Sequence, residues 1–572
     1  MKTYYSGNAL FTLVTGLWLA ILMHLPLYNL GGSGFVLPQN IITWGAAAFL
    51  CGGILSFLPG KQIVITPFLI AFIAGSACMT IPLLWSENQV AAYGASVRIC
   101  GLWAGVLLYF CLLQITFTQK TIRAFLWFIT LSATIEGCIV LQALFLPQTL
   151  SATSFRLYTE IGRGALGTFQ QVNVTASWLA TGLAAQMLLL VTSEENSQKT
   201  AWDSVMGKIK LTLSSLTLAV LACCIVLTCS RIGWIGGVVS YLLFLSVLLK
   251  SRRLISLQGI TLMMSPVAGM VTGLMLLEST VAQAITHTGS NYQRLLTLKE
   301  TLKMIMQHPF KGWGMGTFRI AFQDYMASHF VSNPSLEVMG HPHNELLYIW
   351  FEGGIIALAG YLLVMLAIVW LVIKRPGNQR RMTGILLLPV MLHTWTEFPF
   401  YYSAAHFVVL LILIVAMDLS GRDANPGFSL TGRMGAIYTV ARCSMLLASA
   451  CIVLWLVKAF HTESMLSHFE EGTLKNPECI TQINVPLLTR ERYLHDLNLL
   501  NLVNYYSTGE KKWLRNYLTL NAQWIQSHPD PDDYDNQIQV LRVIGKSKSA
   551  ERCRIAASRL FPWDARFSVG LP

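Results

Sequence analysis

The chain has 572 residues, 54% hydrophobic and only 12% charged, with a mean hydropathy of +0.54. A soluble domain carries about a quarter charged residues, so a water-soluble enzyme is excluded and a polytopic membrane protein is expected. The formal net charge of +12 calls for no nucleic-acid partner, because no segment interleaves basic and aromatic residues and the cations instead follow loop topology.

Apolar runs of the length that spans a bilayer predict thirteen membrane helices. They fall near 8–27, 41–58, 63–84, 92–118, 122–146, 168–192, 211–229, 233–249, 255–277, 344–373, 382–399, 403–419 and 437–459. The opening MKTYYSGNALF sets one lysine before a long apolar run with no small-residue cleavage site, so it reads as a first span and not a removed signal peptide. Lys61, Lys120 with Arg123, Lys199, Lys250 with Arg252 and Arg253, Lys374 with Arg375, and Arg422 occupy one alternating set of loops. The other set includes NLGGSGFVLPQN and WSENQ, which hold no Lys or Arg. The positive-inside rule makes the first set cytoplasmic. An odd number of spans then places the C-terminal tail on the opposite side.

The expected organisation is an N-terminal transmembrane bundle over 1–277, a long non-cytoplasmic loop over 278–343, a second bundle over 344–459 and a soluble α-helical domain over 460–572. In the long loop, NYQRLLTLKETLKMIMQHPF places Leu295, Leu298, Leu302 and Met306 on one helical face, with Arg294, Lys299 and Lys303 on much of the rest. That helix either lies flat at the membrane surface or packs on the span tops. KGWGMGTF follows, and its glycines mark irregular backbone able to approach another group closely. In the tail, Gly509 separates two segments of helical periodicity, and PDPDDYD near residue 530 reads as a solvated loop. Ten of the twelve cysteines lie in or beside apolar spans; Cys479 and Cys553 lie in the tail, and their pairing is open.

Ionisable groups inside spans are functional candidates. Arg98 and Glu136 stand at similar depth on neighbouring spans, either as an ion pair or as pocket lining. Arg231, in LTCSRIGWIGG, stands at a tight outer turn, as a snorkelling side chain or a ligand. Arg163 precedes Gln170, Gln171 and Asn173, amides that cap a helix or bind sugar hydroxyls. His393 and Glu397 share a helix face at i and i+4. In MGHPHNELLYIWFEGG, His341 and His343 precede a span that buries Glu352, roughly 13 Å deeper by helical rise. All these groups sit at the non-cytoplasmic side. Guanidinium groups there suit a phosphate-bearing lipid, and histidine suits proton transfer near neutral pH. His-Pro-His has no third ligand nearby in sequence, and a metal-independent site is expected.

The ordered motifs GTFQQVN, SRIGW, RLLTLKETLKMIMQHPFKGWGMGTF and HPHNELLYIWFEGGIIAL resemble the bacterial O-antigen ligase and O-oligosaccharyltransferase superfamily. His343-Asn344 is followed by Gly354 at the spacing of that family's His-Asn-x9-Gly pattern. LHTWTEFPFYY and the soluble C-terminal extension resemble its protein-targeting branch. The resemblance implies an all-α membrane protein of the bacterial inner membrane, with its N-terminus cytoplasmic and its site and C-terminal domain periplasmic. It implies metal-independent transfer of a glycan from undecaprenyl pyrophosphate to serine or threonine of a pilin-like or other periplasmic protein, with no cofactor. The alternative is an O-antigen ligase or polymerase using lipid A core or another glycan repeat; a lipid-linked glycan transporter and an envelope scaffold are rival classes.

By the same resemblance His343 is the base. It also implies that Arg163 and Arg231 contact the pyrophosphate. From their own placement Arg98 and Arg294 are further candidates for the pyrophosphate, and Gln171, Asn173, Asn344, His393, Glu397, Tyr401 and Tyr402 are candidates for contact with glycan or acceptor. Phe398 stands where the family has a tyrosine, so Tyr401 or Tyr402 would supply that hydroxyl.

Overall fold

A computed structural model of the chain describes residues 2–27, 34–57, 62–161, 165–192, 201–251, 256–279, 288–374, 378–420, 428–429, 433–471, 474, 477–484 and 487–568. Arg163 and the loop cations Lys61, Lys199, Arg252, Arg253, Arg375 and Arg422 fall outside them. The described chain is α-helical apart from a two-residue antiparallel pair, Gln62–Ile63 against Phe428–Ser429. Each of the thirteen expected spans falls on a helix. Among the described residues, ten helices are long and apolar enough to cross a membrane, and Met382–His393 and Ala404–Leu419 are shorter apolar segments. The protein is an all-α, multi-pass membrane protein.

The chain forms two compact units. One comprises Met1–Ile73, Trp103–Ala284 and Val364–Val457; the other comprises Ala74–Leu102, Ile285–Leu363 and Lys458–Pro572.

In the first unit, helix Val172–Val191 is the hub, flanked by Gln119–Phe145, Ala201–Leu227, Arg231–Ser251 and Asn378–His393. Lipid offers no hydrophobic drive for helix association, so small residues that let backbones approach carry the packing. Gly182 lies against Ala133, Gly233 against Ala176, and Gly269 against the Ala219 carbonyl, each too close to admit a Cβ. Pro389 sits inside its helix facing Gly236.

In the second unit, residues 308–316 lock into a break in the long helix Glu345–Ile373. Gly354 there takes φ +65° and ψ −163°, which interrupts the helical ladder. The orphaned backbone groups are taken up by the loop. Trp313 N donates to Phe351 O at 2.7 Å, Gly314 N to Glu352 O at 3.1 Å, and Ile355 N to Phe310 O at 3.2 Å. Gly312, Gly314 and Gly316 all have positive φ; a Cβ on Gly312 would meet Glu352 O at 2.6 Å. The close approach expected of KGWGMGTF is therefore to a helix backbone. Trp313 stacks on Phe351 at 5.8 Å, above a core of Met304, Ile305, Phe318 and Phe322.

The tail forms helices Arg490–Thr508, Lys511–Trp524, Pro531–Val543 and Ser547–Leu560. Gly509 is the left-handed C-cap of the first, at φ 71°. PDPDDYD is not a solvated loop. Asp530 caps helix Pro531–Val543 by accepting from Asp532 N at 3.0 Å, and Asp533 is buried, accepting from Trp524 Nε1 at 3.0 Å. The alternation of acids with prolines thus marks a capped helix start. Cys479 and Cys553 are free thiols.

Candidate functional site

Three sequence-distant motifs converge in the first unit. Gln171 is the N-cap of helix Val172–Val191, its Oε1 accepting from Val174 N at 2.9 Å. Its amide nitrogen donates to Glu397 Oε2 at 2.8 Å, and Asn173 Nδ2 donates to Glu397 Oε1 at 2.6 Å. The capping expected of these amides is performed by Gln171, whose amide nitrogen also binds a carboxylate, a partner the sequence did not indicate. Asn173 Oδ1 in turn accepts from Ser230 Oγ at 2.7 Å, next to Arg231, the exposed first residue of helix Arg231–Ser251.

His393 Nε2 lies 3.4 Å from Glu397 Oε2, and its Nδ1 lies 3.0 Å from Ser177 Oγ. Ser177 Oγ is also 3.1 Å from His406 Nε2, whose ring Nδ1 lies 2.8 Å from Ser403 Oγ. Ser177 Oγ also lies 3.0 Å from the Val174 carbonyl; when its single proton goes to His393 instead, Ser403 donates to His406, His406 to Ser177, Ser177 to His393 and His393 to Glu397. Every bond points at the carboxylate. Ser177, His393, Ser403 and His406 are all buried, so the chain is a preorganised, water-excluded polar path. The Tyr402 carbonyl accepts from Asn40 Nδ2 at 3.0 Å, while the Tyr401 ring stands edge-on to Phe398 at 5.2 Å.

A second buried carboxylate holds the GTFQQVN loop. Glu136 accepts from Thr168 N at 3.1 Å and from the Thr168 hydroxyl, and it pairs with His24 Nδ1 at 3.0 Å. The expected Arg98–Glu136 pair is thereby corrected. Each charge has its own nearer partner, and Glu136 is spent on positioning a loop.

In the second unit, Arg98 Nη2 donates to Glu352 Oε2 at 2.6 Å, and its guanidinium lies over the Tyr348 ring at 4.9 Å. Tyr348 and Glu352 are i and i+4 on helix Glu345–Ile373, so one face of that helix grips the arginine. At its mouth Asn344 caps the helix, accepting from Leu347 N at 3.0 Å. His343 takes φ 54°, a left-handed conformation that non-glycine residues seldom adopt. Its ring lies 4.5 Å from that of His341. Arg294 is half-buried on helix Thr288–Gln307. Among the described residues, no group of three His, Cys, Asp or Glu side chains is placed to hold a metal ion.

A family model described as O-Antigen ligase matches residues 216–362, and one described as virulence factor membrane-bound polymerase, C-terminal, matches residues 382–570. The chain belongs to the O-antigen ligase superfamily. No curated protein matches it. Membership assigns this O-antigen ligase relative to membrane glycan transfer or ligation. His343, Gly354 and the glycine loop lie inside the first match; His393, Glu397, Tyr401 and Tyr402 lie inside the second.

Sequence reasoning missed Ser177, Ser230, Ser403 and His406 around Glu397, and His24 beside Glu136. The two histidines carried a usable signal, since each sits in an apolar run where ionisable groups are expensive. Ser177 carried none, because a hydroxyl inside a membrane helix normally bonds back to its own backbone; Ser230 and Ser403, each just before a helix, read only as helix starts.

Proposed function

We propose that the protein transfers a glycan from undecaprenyl pyrophosphate to serine or threonine hydroxyls of a periplasmic or secreted protein, at the periplasmic face of the bacterial inner membrane. The observation that carries this reading is the docking of the helical tail onto the loop that leads to His343. Gln323 Nε2 donates to the Leu560 carbonyl, Asn333 Nδ2 donates to Arg559 O at 3.1 Å, and Arg319 pairs with Asp530 at 3.4 Å. A tail anchored to the segment bearing the base suits presentation of a protein acceptor.

In this mechanism the acceptor oxygen attacks the anomeric carbon while the bond from that carbon to the pyrophosphate oxygen breaks. The leaving lipid pyrophosphate keeps the electron pair, and His343 takes the hydroxyl proton. Arg231, Arg294 and Arg163 stabilise the charge that develops on the leaving oxygen. Arg98 meets it as one half of a neutral pair with Glu352. Gln171, Asn173, Asn344, His393, Glu397, Tyr401 and Tyr402 orient the glycan or acceptor. The family descriptions favour a second reading, ligation or polymerisation onto a lipid A core sugar or another glycan repeat.

The test uses purified protein, a lipid-pyrophosphate glycan, EDTA and three acceptors: a periplasmic protein, a lipid A core and a second carrier. Products are identified by mass spectrometry for wild type and His343→Ala. Transfer to protein that disappears in the variant is the expected result. Transfer only to the core or the second carrier selects the second reading. Failure of all transfer by protein that still binds the carrier overturns both and favours transport.

A further inference from the structure

Helix Thr288–Gln307 is inside out. Its inward arc carries Gln293, Thr297, Glu300 and Thr301, which are 1%, 0%, 2% and 0% exposed. Its outward ridge carries Leu295, Leu302 and Met306, which are 68%, 46% and 62% exposed. At ~3.6 residues per turn the two sets occupy opposite sides of the helix. A water-facing amphipathic helix has the reverse arrangement. Three inward polar atoms, Gln293 Nε2, Glu300 Oε2 and Thr301 Oγ1, lack hydrogen-bond partners, so burial of this polar face is costly. Met304 and Ile305, on the same side, anchor it in the core with Phe318, Phe322 and Phe351.

The ridge also continues onto surfaces that belong to membrane spans. Phe310, 74% exposed, directly follows it, and its carbonyl accepts from Ile355 N at 3.2 Å. Ile355 and Ile356 are exposed on the span Glu345–Ile373. On the other flank Trp85 Nε1 donates to Lys311 O at 3.2 Å, and Leu84, 85% exposed, ends the span Pro67–Trp85. Lys299, Lys303 and Lys311 are exposed along the same strip, and lysines beside an apolar ridge reach toward lipid phosphates.

From this inversion, the continuity and the flanking lysines we infer that helix Thr288–Gln307 lies in the bilayer interface. Its Leu295–Leu302–Met306–Phe310 ridge contacts phospholipid acyl chains, and Lys299 and Lys311 meet the headgroups, while Lys303 at the same edge pairs with Glu300 Oε1 at 2.9 Å. The long loop is thus a membrane-embedded element, and it holds Arg294 at the level of lipid phosphate.

The test places photoreactive benzoylphenylalanine separately at Leu302, Met306, Leu84 and Tyr506 in the full-length protein. Tyr506 is 85% exposed on the helical tail. The protein is reconstituted in phosphatidylethanolamine–phosphatidylglycerol vesicles, irradiated and digested for mass spectrometry. Phospholipid adducts at positions 302 and 306, as at 84, and none at 506 are expected. Adducts at 84 but not at 302 and 306 overturn the inference. So do adducts at 302 and 306 made only to protein, which would indicate a covering partner or a second copy.

Discussion

Asn173 Nδ2 donates to Glu397 Oε1 at 2.6 Å, joining the mouth of one membrane helix to the end of another across 224 positions of sequence. Gln171 binds the other oxygen of the same carboxylate at 2.8 Å. Glu397 is therefore the acceptor on which the GTFQQVN and TEFPFYY segments agree.

Removing that acceptor should orphan several donors together. Each unsatisfied buried donor costs about 1–3 kcal/mol, so Glu397→Ala should lower the thermal midpoint clearly. Glu397→Gln retains an oxygen and should lose less stability, while turning one bond into a donor–donor clash. Thermal unfolding in detergent, measured beside transfer activity, checks both. Equal midpoints for wild type and Glu397→Ala would contradict the shared-acceptor role.

The Arg98–Glu352 pair should behave as a buried ion pair, because Glu352's side chain is 3% exposed. Loss of one partner from such a pair costs about 3–5 kcal/mol. Arg98→Met and Glu352→Leu should each be strongly destabilising, and the double variant should be more stable than either. A double-mutant cycle read by thermal melts tests this. Additive losses would show that the two side chains act separately.

Gly354 should tolerate no side chain. Its φ is +65° and a Cβ would collide with the Phe310 carbonyl oxygen. Gly354→Ala should detach the 308–316 loop from the helix break, exposing Trp313 and abolishing transfer, whereas Gly340→Ala, with open space around it, should be neutral. Tryptophan fluorescence and limited proteolysis of the loop report the difference.

The helical tail should weaken in alkali. Burial disfavours the charged form of His495, but hydrogen bonds and attraction from Asp496 and Asp533 outweigh it and push its pKa up to about 10. A pKa raised in the folded state means that folding takes up a proton. That stability is full below the unfolded value near 6.5 and is lost as pH rises through about 10. Burial also lifts Asp496 to about 6, against hydrogen bonding to His495 that lowers it; its contribution fades as pH rises through that value. Both act in the same sense. Melts of the full-length protein between pH 7 and 10 should fall for wild type and stay flatter for His495→Gln.

At the helix mouth, a substitution at the proposed base separates backbone from chemistry. His343 holds φ 54°, a conformation that asparagine adopts more readily than most residues. His343→Asn should keep the fold and the Asn344 cap yet lose transfer. A matching drop in the thermal midpoint would mean that the imidazole is structural.

Sequence alone determined the membrane class, the thirteen apolar helical segments, the break at Gly509 and the His-Asn-x9-Gly signature. These depend on sums over neighbouring residues, such as hydropathy across a span or turn chemistry at one position, and neighbours in sequence suffice to evaluate them. The tertiary structure decided which polar groups meet. Arg98 and Glu136 matched in depth, but depth does not set a helix's rotation about its own axis. Close packing at Gly182 and Gly233 fixes neighbouring backbones; Glu136 pairs with His24, and Arg98 with Glu352. The face that Thr288–Gln307 buries was equally undecided by periodicity, which marks an apolar stripe but not whether it faces protein or lipid. Residues 308–316, inserted at the Gly354 break, and the core around Phe318 and Phe351 turn its polar side inward, and only those long-range contacts choose between the two.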